Sequence, residues 1–174
     1  MKTMRLAILM LFMPFALWAA EFDAFLGTYT GQAEVEVDGK TERRDMSVTI
    51  GEADEGFVVE WSSVIYKADG RTKEGTYTIN FTPSPRENIF ASAMKTNVFG
   101  KAVPLDPLNG EPFVWARLEG DTLSVYSLFI NEVGEYEIQE YHRSLAEGGL
   151  DLVFRRVRHA ESEREIRTFL KKQN

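Results

Sequence analysis

The sequence predicts an all-β fold: an antiparallel up-and-down β-barrel of about ten strands, with a β-sandwich as the alternative. Three observations carry this. Apolar and polar residues alternate with period two after residue 20. Turn signals interrupt the alternation every ~10–15 residues. No run has the length and 3.6-residue period of a buried helix. A meander this long must close or split into two sheets, because free strand edges invite aggregation. Its regular neighbour-to-neighbour turns favour closure.

Residues 1–20 stand apart as a signal peptide. Lys2 and Arg5 precede an apolar run over residues 6–20, and Ala19 and Ala20 offer small side chains for cleavage. The run is short for a membrane anchor, which needs ~20 apolar residues, so no integral span is expected after its removal. Residues 21–174 then form a single barrel domain, exported to the periplasm or secreted. Loss of Lys2 and Arg5 takes the net charge from −7 to −9. Such acidity argues against a nucleic-acid partner, since phosphate binding needs a basic face. The chain has no cysteine, which excludes disulfides, a thiolate nucleophile and sulfur-ligated metals.

The strands follow in order. Tyr29, Gly31, Ala33, Val35 and Val37 share one face of the first, which ends at the Asp38-Gly39 turn signal. Met46, Val48 and Ile50 point inward from the second, and Phe57, Val59, Trp61 and Ile65 from the third. After Asp69-Gly70 come Tyr77, Ile79 and Phe81, closed by Pro83-Ser84-Pro85. Shorter strands are expected over residues 88–94 and 98–103, then a proline-rich loop over 104–112. Alternation resumes over 113–118, 123–130, 136–145 and 150–157. In the third of these runs, Tyr136 and Ile138 fall on one face but Tyr141 and Leu145 on the other. A β-bulge near Gln139 or Glu140 would reconcile them. The tail admits two readings: a helix capped by Ser162 and Glu165, or a closing strand with Ile166, Thr168 and Leu170 inward. The hairpin rhythm leans toward the strand.

The run Leu26-Gly27-Thr28-Tyr29-Thr30-Gly31 resembles the opening of calycin-type barrels, both lipocalin-like and nitrobindin-like. In lipocalins a Gly-x-Trp packs its indole under an arginine from the end of the last barrel strand. The resemblance puts Gly27 and Tyr29 at the barrel base, with Arg155 or Arg156 as the covering cation. Tyr stands here where the family has Trp. The match covers about a dozen residues at one end and two at the other, and no second lipocalin motif is present.

Few residues invite chemistry. His142 and His159 are the only imidazoles, which argues against a multi-histidine metal site and leaves a His–carboxylate site as the remaining option; no metal is expected. One histidine can hold a haem iron axially, and the nitrobindin-like resemblance keeps that reading as a minor alternative for His142 or His159. With no bulge, His142 shares the face of Tyr136 and Ile138 and would aim inward; with it, the ring faces solvent. Ser92-Ala93-Met94-Lys95 matches Ser-x-x-Lys, but in a strand residues three apart face opposite sides, so it carries nothing. Asn80-Phe81-Thr82 reads as a chance glycosylation triplet. Glu132, Glu135, Glu137 and Glu140 read as a solvated outer face.

Two arginines sit on apolar parities: Arg117 with Phe113 and Trp115, and Arg156 with Leu150, Leu152 and Phe154. An arginine inside a barrel must be paired, or must face water or a ligand. The sequence therefore predicts an exported lipocalin-like barrel binding a small, mostly apolar molecule. Trp61, Tyr77, Phe81, Phe113, Trp115 and Phe154 would line the cavity, with Arg117 and Arg156 meeting an acidic group. The alternative is a filled barrel that docks another envelope protein. An enzyme ranks third, since no nucleophile–base pair emerges from the spacing.

Overall fold

The computed structural model describes residues 22–174 except 38, 93–94, 97–101, 104 and 160. Residues 1–20, read as a signal peptide, lie outside that set. The strands are β1 (Gly27–Val37), β2 (Lys40–Ala53), β3 (Gly56–Tyr66), β4 (Thr72–Pro83), β5 (Ile89–Ser92), β6 (Lys95–Thr96), β7 (Ala102–Val103), β8 (Phe113–Glu119), β9 (Thr122–Ile130), β10 (Tyr136–Ala146), β11 (Gly149–Arg158) and β12 (Glu161–Lys172). Ten of them close a barrel in the order β1-β12-β11-β10-β9-β8-β5-β4-β3-β2, and β6 and β7 form a separate two-stranded ladder. All pairings are antiparallel. Among the described residues no helix is long and apolar enough to cross a membrane.

The two ends of the barrel differ in chemistry. The short connections after β2, β4, β8 and β10 lie at one end, the base, where Phe57, Phe81, Leu118, Leu123 and Leu150 are fully buried. Residues 22–26 plug that end. Phe25 N–H donates to Phe22 O at 2.9 Å to make a tight turn, and the Phe22 ring packs 4.4 Å from that of Phe57. The Tyr29 hydroxyl donates to Phe25 O at 2.9 Å and fixes the plug to β1. Gly27 begins β1 at φ 140, where a Cβ would meet Lys172 Cε at 2.8 Å. The other end, the mouth, carries the connections after β1, β3, β9 and β11.

Three expectations are corrected here. The cation over Tyr29 is Lys172, its Nζ 5.6 Å from the ring centroid, and not Arg155 or Arg156. The tail is the tenth barrel strand and ends at the base beside Tyr29, whereas β11 carries Arg155 and Arg156 toward the mouth. The bulge is not in β10, whose register with β9 and β11 runs unbroken. It lies in the β11–β12 pairing, where the register shifts between Arg156 and Val157. The third concerns Glu137. It is an inward residue of the mouth, since β10 aims Glu137, Gln139, Tyr141, Arg143 and Leu145 inside and Tyr136 and Ile138 outside.

The proline-rich loop contains a 3-10 turn, Pro107–Asn109, capped by the Asp106 carboxylate accepting from Leu108 N–H. Pro at the first turn positions and Gly110 at φ 77 suit its two ends.

Candidate functional site

Above the packed base the barrel keeps a cavity of about 230 Å³. Its wall comes from six strands. β2 supplies Arg44, Met46 and Val48; β3 supplies Trp61; β4 supplies Tyr77; β10 supplies Gln139, Tyr141 and Arg143; β11 supplies Leu152, Phe154 and Arg156; and β12 supplies Ile166. Period-two alternation delivers each of these side chains to the interior. Four rings form the apolar surface. Trp61 stacks on Tyr77 at 5.5 Å and meets Tyr141 at 5.5 Å, and Tyr141 meets Phe154 at 4.9 Å. Tyr77 is 59% exposed, so it stands at the edge of the cavity, while Trp61 is half-buried.

Arg143 is the central polar group. It is 2% exposed, and its Nε and Nη1 have no hydrogen-bond partner. The guanidinium carbon lies 5.9 Å from the Trp61 ring centre and 5.5 Å from that of Tyr141. Those π faces offset part of the desolvation, but they accept no full hydrogen bond. Burial lowers its pKa to about 10, with the Tyr141 hydroxyl working the other way, so the group stays charged at neutral pH. Burial likewise pushes Tyr141 up to about 12. Leaving a buried guanidinium without an acceptor costs several kcal/mol. An anion in the cavity would relieve that cost.

Two more guanidinium groups approach from the mouth. Arg44 Nε is buried without a partner, and its Nη2 is 3.7 Å from Glu42 Oε2. Arg156 Nε lies 3.2 Å from Glu137 Oε1 but lacks hydrogen-bond geometry. Arg158 holds the same carboxylate more firmly, its Nε donating to Glu137 Oε2 at 2.6 Å. For Glu137, burial acts to raise the pKa, but hydrogen bonds from Gln139 and Arg158 and the charges of Arg156 and Arg158 hold it below the ordinary glutamate value. Desolvation and the nearby Arg164 lower Arg44.

The site residues expected from the sequence separate into three groups. Trp61, Tyr77, Phe154 and Arg156 line the cavity. Phe81 is fully buried in the base, packed 5.0 Å from Phe57, and does not reach the cavity. Phe113, Trp115 and Arg117 are corrected to the outer face. Val114, Ala116 and Leu118 are the inward residues of β8, buried in the same cluster as Phe57, Phe81 and Phe90. Outside, Trp115 stacks on Tyr126 at 5.0 Å, and Arg117 pairs with Glu119 at 2.7 Å. Gly27 and Tyr29 sit at the base, while Arg155 points outward and bonds Glu165 at 2.8 Å. His142 also faces out, bonded to Ser124 Oγ at 2.8 Å and near Glu140 at 3.1 Å. His159 is 65% exposed in a turn, 3.4 Å from Glu135. Neither imidazole lines the cavity, so a haem there would find no axial nitrogen in its wall.

Sequence reasoning missed Arg44, Tyr141 and Arg143. The signal was present: Arg44 alternates with Met46 and Val48, and Arg143 with Tyr141 and Leu145. Taking Tyr136 and Ile138 as inward hid the second pattern.

No family model matches the chain, and no curated protein matches it. Among solved structures it is similar to the S-type phycobiliprotein lyase CPES from Guillardia theta, at 8% identity over 90% of this chain and 93% of that chain. The TM-score is 0.36, too low to carry an argument about ancestry or ligand. The chain is thus defined by its own architecture, a closed ten-stranded antiparallel barrel with a cationic, ring-lined cavity.

Proposed function

We propose that this protein is a calycin-like carrier or sensor that binds a small organic anion with an apolar body inside the barrel. The observation that carries the reading is Arg143, a buried cation with two unpartnered nitrogens in the wall of an otherwise aromatic cavity. A cavity of about 230 Å³ lies below the usual range for drug-sized ligands, which supports a small molecule. Residues 1–20 support an exported, periplasmic or secreted location, and N-terminal sequencing should find processing near Ala19 to Glu21.

The functional test is ligand-dependent stability. An anion that occupies the cavity at a hundredfold excess over its Kd should stabilise the protein by about 2.7 kcal/mol. It should also change Trp61 emission, whereas a neutral isostere should do neither. Arg143→Met should abolish both responses. Anions that stabilise parent and variant equally would place binding elsewhere and remove the proposal.

A second reading draws on the outward row of Phe113, Trp115 and Tyr126, which suits docking to an envelope protein. Loss of partner capture on Trp115→Ala, with small-molecule binding absent, would favour it.

A further inference from the structure

The cavity wall carries four basic side chains, Arg44, Lys73, Arg143 and Arg156, against one acidic side chain, Glu74. One anionic group does not balance that wall. The cations also fall at two levels. Arg143 lies opposite Leu152 across the β10–β11 ladder, and Arg156 lies four residues nearer the mouth on β11, about 13 Å of strand rise. At the upper level Arg156 stands directly opposite Arg164 in the β11–β12 pairing. Like charges in that relation repel across a sheet. Glu137 is shared between Arg156 and Arg158, and Glu42 reaches Arg44 only at 3.7 Å. The buried Nε atoms of Arg44 and Arg156 remain without hydrogen-bond acceptors.

Resting on the reading of the cavity as an anion site, we propose that its ligand is a small dianion with two separated acidic groups. One is received by Arg143 in the depth of the cavity, and the other by Arg44 and Arg156 toward the mouth. The apolar body between them lies against Trp61, Tyr141 and Phe154. A second carboxylate supplies the acceptor that the upper arginines lack and relieves their mutual repulsion. Charge-assisted hydrogen bonds to both groups would make two-point recognition selective over one-point binding. A monoacid leaves the upper level as it stands in the free protein.

Matched probes test this by calorimetry at fixed ionic strength: benzoate against terephthalate, octanoate against octanedioate, and phenyl phosphate as a single doubly charged head. The diacid of at least one pair should bind ten times tighter than its monoacid or better. Arg44→Met and Arg156→Met should erase that preference by weakening the diacid far more than the monoacid, and the Lys variants at these positions should keep part of it. Arg143→Met should weaken both members of the pair. Thermal melts check that each variant is folded. Diacids binding no tighter than monoacids would overturn the two-group assignment and leave the anion site standing. So would a preference that survives both upper variants, or phenyl phosphate matching terephthalate. No binding by any probe would overturn the anion site and this inference together.

Discussion

Arg143 and Tyr29 are two large buried residues with opposite consequences. The Tyr29 ring is 1% exposed, and its hydroxyl anchors the turn that closes the base. Tyr29→Ala should destabilise the protein by ~3–5 kcal/mol, the cost of removing a large core side chain, as read by urea denaturation. Arg143 is as deeply buried but has no acceptor for two of its nitrogens. Replacing a buried ion pair with apolar side chains of similar volume is often neutral or stabilising by ~1–4 kcal/mol, and a buried charge with no ion-pair partner has less Coulomb attraction to lose. Arg143→Met should therefore leave the free protein at least as stable as the parent, by the same denaturation measurement. A loss above ~2 kcal/mol would mean that the guanidinium is internally satisfied, which would remove the case for a ligand.

Strand identity was legible in the sequence because alternation and turn residues act over a few positions. Strand orientation was legible only where one face is plainly apolar. β8 reads Phe-Val-Trp-Ala-Arg-Leu, apolar on both faces, so parity alone does not say which set is inside. The inward set is the one that packs with Phe57, Phe81 and Phe90, which lie elsewhere in the sequence. β10 misled for the same reason: Tyr136 and Ile138 are apolar yet outward, and only pairing with β9 and β11 fixes its face. The short connections obey local rules more strictly. Gly56 opens β3 at φ 153, where a Cβ would lie 2.0 Å from Phe81 O. The β4 backbone fills that space, and no side chain can move aside to relieve the contact. Gly56→Ala should cost more than ~3 kcal/mol and lower the melting temperature accordingly.

At the scale of the molecule, a net charge of −7 encloses a basic interior, so acid has two effects on one structure. Glu137 is held below the ordinary glutamate range when folded. Asp69 is held at about 2 by hydrogen bonds from the Arg71 side chain and backbone. A depressed folded pKa means that the unfolded chain binds protons more readily. The stabilisation from these groups is present above the ordinary carboxylate range and is lost as pH falls through it toward their folded values. For Glu137 the loss also frees Arg156 and Arg158 to repel each other and Arg164. Melting temperature should fall on acidification below about pH 4.5, and Glu137→Gln should flatten part of that fall while lowering stability at neutral pH. An unchanged acid limb in Glu137→Gln would show that the mouth network does not contribute.

The barrel closes where its first and last strands meet, and there the register contains only Tyr29 with Lys172 and Thr30 with Lys171. Further hydrogen bonds reinforce this meeting, from Thr168 Oγ1 to Gln32 O at 2.6 Å and from Gln173 N–H to Thr28 O at 2.8 Å. Every other barrel pairing joins consecutive strands except β5 with β8, which residues 93–112 separate, so most of the meander can zip locally as it forms. This final seam must wait until the whole chain is in place, and it carries the largest loop-closure entropy in the molecule. Closure should thus be a late event of folding, and the seam the first place to part under native conditions. Native-state hydrogen exchange should find the amides of Thr30 and Gln173, the latter bonded to Thr28 O across the seam, opening at lower free energy than those of Val48 and Val59. Equal protection at both places would make the closed barrel one cooperative ring with no weak seam.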